Sequence, residues 1–440
     1  MTETLLQPMT RPLEIDAERL LRRIRELAAI GADGATGGIT RPGFSPADRE
    51  AQAYVMGEAR RAGLSAAVDA AGNVLVRDGV PAGERPALLL GSHLDTVVNG
   101  GPLDGAYGVL AALEVVQCCA EAGLETPYEV VAAAFANEEG ALFPQPFWGS
   151  MALAGRLTDL PKEPTDRHGR PLRDALKSTG GNLDALGSAV WPVGSIAAYL
   201  ELHIEQGPVL ERAGTAIGVV EAITGRALLT VTIRGSAGHS GTTPMEGRRD
   251  AMAAAARVVL AAEGISRGQQ LCRVATVGRL DAEPNTPNTI AGTATMTVDL
   301  RDTGPARLDA AERALRDALR RIAAQTGTDI SVTALTHSAP VATDQGLRSA
   351  IARSADELGL SRMALPSGAG HDAQIVAGIG PIAMVFVPSI GGVSHVPEED
   401  TDPAHLIGGA NVLLRTALRT LDAAPRHRPD LSTSHYLEQR

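Results

Sequence analysis

Apolar residues recur along this chain in two alternating rhythms, and the alternation outlines a fold. Residues 15–30 set Leu20, Ile24 and Leu27 on one helical face, and a Gly-rich stretch at 31–43 follows. Residues 48–62 read as a second helix and 73–77 as a strand. Leu88, Leu89 and Leu90 form a short continuous apolar run, residues 107–122 return to helical spacing, and 130–135 form another apolar run. Two more such runs lie at 199–202 and 382–387. Strands apolar on both faces, alternating with helices, predict an α/β fold whose mostly parallel sheet is flanked by helices.

The middle of the chain changes character. Residues 227–233 read as a strand, 249–262 as an alanine-rich helix, and 274–280 and 293–300 as two strands. Pro305 opens a helix carrying Leu308, Ala311, Leu315, Leu319 and Ile322 on one face, Gly327 ends it, and 330–335 close the series as a strand. The order β-α-β-β-α-β is the ferredoxin-like split unit. A self-contained unit inside a parallel pattern predicts an inserted domain at 225–337, between two parts of a catalytic domain at 1–224 and 338–421. Residues 422–440, with Pro425, Pro429 and scattered charges, are expected to form a flexible tail.

Composition narrows the function classes. A chain of 440 residues exceeds one ordinary core, in keeping with two domains. With 44% hydrophobic and 21% charged residues it has the balance of a globular protein and not of a disordered one. No apolar run approaches the ~20 residues that cross a bilayer, and residues 1–15 lack the pattern of a secretion signal. Three cysteines, two of them adjacent at Cys118 and Cys119, make no disulfide framework, so a reducing cytoplasm is the expected location. Net charge is −11 and the basic residues form no block, which argues against nucleic acid as a partner.

The chemistry sits where the apolar runs stop. The run at 88–90 leads into His93 and Asp95, 130–135 into Glu138 and Glu139, 199–202 into His203, and 382–387 into His395. Ligands in open α/β sheets bind beyond the carboxyl ends of the strands, so four such ends converge on one crevice. Imidazole with carboxylate suits zinc, manganese, cobalt or nickel better than calcium. Asp104, between Leu103 and Gly105 at the start of the next helix, is placed to bridge two metals, or to act as an N-cap, or both. Asp95 could orient His93 from behind. Of the pair Glu138-Glu139, one carboxylate can ligate while its neighbour stands over the attacking water as a proton shuttle.

Six segments carry a resemblance: residues 91–97, 99–105, Asn137-Glu138-Glu139-Gly140, His203-Ile204-Glu205-Gln206-Gly207-Pro208, Gly238-His239-Ser240-Gly241-Thr242-Thr243-Pro244-Met245, and Ser367-Gly368-Ala369-Gly370-His371-Asp372-Ala373. Together they resemble the N-carbamoyl-L-amino acid hydrolase, allantoate amidohydrolase and β-ureidopropionase group of the dinuclear metallopeptidase-like superfamily, over residues 15–420. The resemblance implies two divalent metals on His93, Asp104, Glu139, His203 and His395, with Asp104 bridging and Glu138 as acid and base. It also implies that Gln206, His239, Asn288, Arg301 and Gly370 hold the substrate, and that the inserted domain is a lid and homodimer surface. The reaction so implied is hydrolysis of the linear carbamoyl C–N bond of a small ureido acid. N-carbamoyl-L-amino acids stand first. Allantoate is the alternative, since residues 97–101 and 143–150 look at least as much like that type. A dipeptidase or aminopeptidase fits Gln206 and the Gly-His-Asp run less well, and a silent binding homologue has no need of Glu138.

Overall fold

The computed structural model describes residues 13–79, 85–158, 160–161 and 163–424. The strands β1 (Ser65–Val68), β2 (Val74–Arg77), β3 (Ala87–His93), β4 (Glu129–Phe135), β5 (Ile196–Ile204) and β6 (Ile217–Ile223) come first in the chain. They are followed by β7 (Gly225–Arg234), β8 (Val274–Glu283), β9 (Thr293–Asp302), β10 (Asp329–Ser338) and β11 (Ile382–Val387). The chain divides into two units. The first runs to Val220 and takes in Thr343–Leu365 and the chain from His371; the second is Glu221–Ala342 with Pro366–Gly370.

In the first unit the strands named above follow the sheet order β1-β2-β4-β3-β5-β11-β6. The central four strands, β4, β3, β5 and β11, are parallel neighbours, while β1, β2 and β6 pair antiparallel at the flanks. The apolar runs read from the sequence are that parallel centre. It is buried on both faces and so lacks the alternation that marks a half-exposed strand. Strands β1 and β6 escaped the sequence reading, for the four residues Ser65–Val68 are too few to establish a period.

Helix α1 (Ala17–Ala28) starts on an Asp16 cap, α2 (Pro46–Arg61) on a Ser45 cap, and α3 (Ala106–Glu121) is buried on every side from Ala106 to Cys119. Its one buried charge, Glu114, meets Arg19 at 2.6 Å and Arg23 at 2.9 Å, and Arg23 reaches Glu58 at 2.7 Å. All three cysteines are free and buried. No helix among the described residues is long and apolar enough to cross a membrane. The last helix, Pro403–Asp422, takes in the first residue assigned to the tail, and 425–440 lie outside the described residues.

The second unit has a four-stranded antiparallel sheet in the order β10-β7-β9-β8, with helices Ala251–Arg267 and Pro305–Thr326. Alternate residues of β7 are buried, among them Leu229, Val231 and Ile233, and they share a separate core with Val258, Leu308 and Leu315. The segment Pro366–Gly370, which the sequence pattern leaves with the catalytic part, belongs here: Thr224 N–H donates to Ser367 O at 3.0 Å and Arg301 Nη1 to Gly368 O at 2.5 Å.

Candidate metal centre

The four parallel strands of the first unit stop at one edge, and their ends carry the predicted residues. His93 is the last residue of β3, Glu138 and Glu139 follow β4, His203 is the next-to-last residue of β5, and His395 follows β11. Asp104 sits among them. Its Oδ1 is 3.5 Å from His93 Nε2 and 3.1 Å from His203 Nε2, while its Oδ2 is 3.0 Å from His395 Nε2. Glu139 Oε1 lies 3.3 Å from the same His395 nitrogen. Two triads result, His93-Asp104-His203 and Asp104-Glu139-His395, each with its donor atoms within 4.8 Å of one another and with Asp104 common to both.

The imidazoles are turned for ligation. His93 Nδ1 lies 2.9 Å from the Asp95 backbone carbonyl and His203 Nδ1 2.9 Å from that of Ile204. In the neutral ring this keeps the proton on Nδ1 and leaves the Nε2 lone pair facing Asp104. Gly105 N–H donates to His203 Nε2 at 3.2 Å, which needs that lone pair. Gly105 has φ +63°, and a Cβ there would stand 2.4 Å from His93 Nε2, so only glycine fits.

Charge balance points the same way. Burial pushes Glu139 up to about 7, helped by Asp104. The Asp104 hydrogen bond raises His395 to about 9 against its own burial. Burial would also raise Asp104, but the imidazoles of His203, His395 and His93 beside it hold it well below the usual carboxylate range. Carboxylates and imidazoles packed this closely retain protons in the absence of a cation, and a divalent ion displaces them. The donor set therefore fits the metals expected from the sequence.

Two expectations need correcting. Asp104 caps no helix: the N-cap of α3 is Gly105, without a side-chain cap bond, because the Asp104 carboxylate is drawn to the imidazoles and to Gln206 Nε2 at 2.9 Å. Asp95 does not turn His93 with its carboxylate, which lies 3.7 Å from Nδ1. That carboxylate accepts the backbone N–H of Glu138 at 2.9 Å and of Glu139 at 3.1 Å, so it holds the turn that presents them.

Glu138 is buried, with Oε2 3.8 Å from His93 Nε2. Burial, with Glu139, Asp372 and Asp95 nearby, pushes it well above the usual carboxylate range, and His93 opposes this. Gln206 adopts φ +59° and, while its Nε2 donates to Asp104, leaves a buried Oε1 without a partner. Several buried residues were not singled out from the sequence. Glu201 accepts from Ser92 at 2.8 Å, Tyr199 at 3.1 Å and Ala373 N–H at 3.0 Å, and Asp372 accepts from Ser150 at 2.5 Å. Glu399 binds both the Asp104 and the His395 segments. Its only sequence signal is its closeness to His395.

The other predicted substrate residues belong to the second unit. His239 and Asn288 lie at a two-stranded pairing of Gly238–His239 with Thr289–Ile290, where Ser240 N–H donates to Asn288 O at 3.0 Å. Both are exposed. His239 Nδ1 accepts from Gly241 N–H at 3.1 Å and Thr242 N–H at 3.2 Å, so its Nε2 carries the proton as a free donor. Arg301, half-buried, pairs with Asp299 at 2.9 Å and reaches Gly368 O, within the segment that ends in Gly370.

The sequence profile of peptidase family M20/M25/M40 matches residues 89–419, a span that starts within β3 and takes in every residue named above for metal or substrate. The chain belongs to this family. Its members are metal-dependent hydrolases, and the two triads are candidate ligand groups for that chemistry. The N-carbamoyl-L-amino acid amidohydrolase of Geobacillus stearothermophilus is 40% identical over 91% of this chain and 98% of its own length. The allantoate amidohydrolase of Escherichia coli (strain K12) is 37% identical over 88% of this chain and 94% of its own. A solved hydantoinase/carbamoylase family amidase from Burkholderia ambifaria superposes with TM-score 0.83 at 39% identity, covering 94% of this chain and all of that one. The M20-family chain is accordingly a hydrolase of linear amide C–N bonds.

Proposed function

We propose that this enzyme hydrolyses the carbamoyl C–N bond of a ureido acid, an N-carbamoyl-L-amino acid before allantoate, at a pair of divalent metals held by His93, Asp104, Glu139, His203 and His395. The observation that carries this is the division of Asp104, one oxygen toward His93 and His203 and the other toward His395. A carboxylate so shared is the usual bridge of dinuclear hydrolases, where paired metals supply Lewis acidity and make water a nucleophile near neutral pH.

The chain's own residues do the rest. Glu138, buried and raised, takes a proton at its carboxylate and hands it to the departing nitrogen. Gln206 Oε1 accepts a ureido N–H, for it is otherwise a buried acceptor without a donor. In the second unit His239 Nε2–H, with Asn288, donates to the developing oxyanion, and Arg301 takes the substrate carboxylate as a planar fork. Gly370 completes the substrate contacts. The carbamate product decays to ammonia and carbon dioxide. Allantoate stays as the second reading because the two amidohydrolase types match this chain at 40% and 37% identity. The second unit's lid and homodimer roles rest on the resemblance, and exposed Leu260, Leu280 and Leu335 supply apolar surface for a partner copy. Buried free thiols suit a cytoplasmic location.

The test combines elemental analysis with ammonia release over a panel of N-carbamoyl-L-amino acids, allantoate and dipeptides. Two metals per chain and turnover of ureido acids alone are expected. Full activity in excess chelator, or cleavage of dipeptides only, refutes the proposal.

A further inference from the structure

Glu399 lies in the first unit, in the loop after His395, and its buried carboxylate has four donors. Oε1 accepts the backbone N–H of Leu103 at 2.9 Å and of Asp104 at 3.0 Å. Oε2 accepts the Ser394 hydroxyl at 2.5 Å and the His395 N–H at 3.4 Å. One side chain thus joins two segments far apart in sequence, the one carrying Asp104 and the one carrying His395. The Ser394 hydroxyl also lies 3.3 Å from Asp104 Oδ2, but a single proton goes to the nearer oxygen, which is Glu399's. The chain leaves room for this strut: a Cβ on Gly101 would stand 2.3 Å from Glu399 Cβ and 2.4 Å from its Oε1.

The two triads differ in what else holds them. His93 and His203 are buried at strand ends with Nδ1 fixed on backbone carbonyls. His395 is half-exposed, lies in a loop, and has φ +63°. A non-glycine residue in that region persists only where its surroundings enforce it.

We propose that Glu399 is a positioning residue that fixes the His395 loop to the Asp104 segment and so sets the geometry of the Asp104-Glu139-His395 metal position, leaving the His93-Asp104-His203 position to the strand ends. This rests on the metal pair proposed above. Its signature is asymmetric: losing Glu399 weakens one metal position and spares the other. Supporting partners around metal ligands typically contribute about 10- to 100-fold in affinity.

The experiment titrates Co²⁺ into the full-length chain after chelator stripping, following heat and the visible absorption of each bound ion, with thermal unfolding as the check on folding. Three variants approach the strut differently. Glu399→Gln removes the charge and puts an NH₂ against two donors, Gly101→Ala pushes the side chain aside, and Ser394→Ala deletes one donor with little effect on packing. The first two should bind one Co²⁺ within about threefold of wild type and the second about 10- to 100-fold more weakly, with an altered spectrum for the second ion only. Ser394→Ala should show a smaller loss at the same position, and it carries the test if either of the others fails to fold. Turnover lost in Glu399→Gln should return at saturating metal, which a general packing defect does not allow. Equal weakening of both positions, or wild-type affinity at both in a folded variant, overturns the inference. A wild-type chain that takes up no metal pair overturns the proposed metal centre and this inference with it, and that failure shows itself before any variant is made.

Discussion

The metal centre of the first unit and the candidate substrate residues of the second are both polar, but they differ in burial. His93, Asp95, Asp104, Glu138 and His203 are buried, whereas His239 and Asn288 are exposed and Arg301 is half-buried. Buried charge needs partners, and the carboxylate oxygens of Asp95, Asp104 and Glu399 each face an imidazole, a backbone N–H or a hydroxyl. In a lattice of that kind a one-atom change is felt by several neighbours. His239 and Asn288 stand in solvent with few obligations, which suits residues that exchange water for a ligand. On the proposed function this is a division of labour: the first unit would keep fixed geometry and proton chemistry, and the second would supply adaptable recognition.

The sharpest way to break this comparison is at Glu138. Glu138→Gln should keep its metals and lose about 10²–10⁴-fold in turnover, as removal of a general acid–base group does. Metal content and kcat measured on one preparation decide it; loss of metal together with activity means that Glu138 and Glu139 have exchanged roles. Buried charge far from the centre should be as unforgiving for stability. Arg23→Ala leaves Glu58 and Glu114 short of a partner, and a cost of about 3–5 kcal/mol is expected in denaturant unfolding. A loss under about 1 kcal/mol would show that Arg19 and Arg22 re-form the cluster without it.

Arg301→Ala probes the other side. Without the fork, kcat/KM for a carboxylate substrate should fall by about 2–5 kcal/mol, largely through KM, with metal content unchanged. Neutral amide or ester analogues should lose little; an equal penalty on charged and neutral substrates would make Arg301 a structural residue. The smallest effect is predicted at an exposed pair of the second unit. Arg267 reaches Glu263 at 2.7 Å with both side chains largely in solvent, so Arg267→Ala should change stability by at most about 0.5 kcal/mol. A shift several times larger would undo the contrast between the units.

The same contrast explains what was legible before the fold. Imidazoles and carboxylates at the ends of apolar runs were visible because a fully buried parallel strand writes itself as a continuous apolar stretch, and its carboxyl end is where such sheets bind ligands. Exposed His239 and Asn288 and half-buried Arg301 follow no apolar run that would mark them, and only their resemblance to a family singled them out. Glu399 and Glu201 were invisible for another reason: their importance lies in contacts with segments remote in sequence, and periodicity carries no record of those.

The sequence by itself determined the order of the central strands and the longer helices, the parallel centre of the sheet, the change of spacing that sets off the four-stranded unit, and the kinds of donor atom available. All of these follow from local spacing and side-chain chemistry. Only the tertiary structure decided which atoms meet. It divided Asp104 between two sets of imidazoles, gave the Asp95 carboxylate to the Glu138–Glu139 turn and only its backbone carbonyl to His93, and made Gly105 the N-cap of α3. The physical reason is that a buried carboxylate takes whichever donors the packed chain brings within hydrogen-bond reach, and that reach is set by strands and loops arriving from remote parts of the sequence.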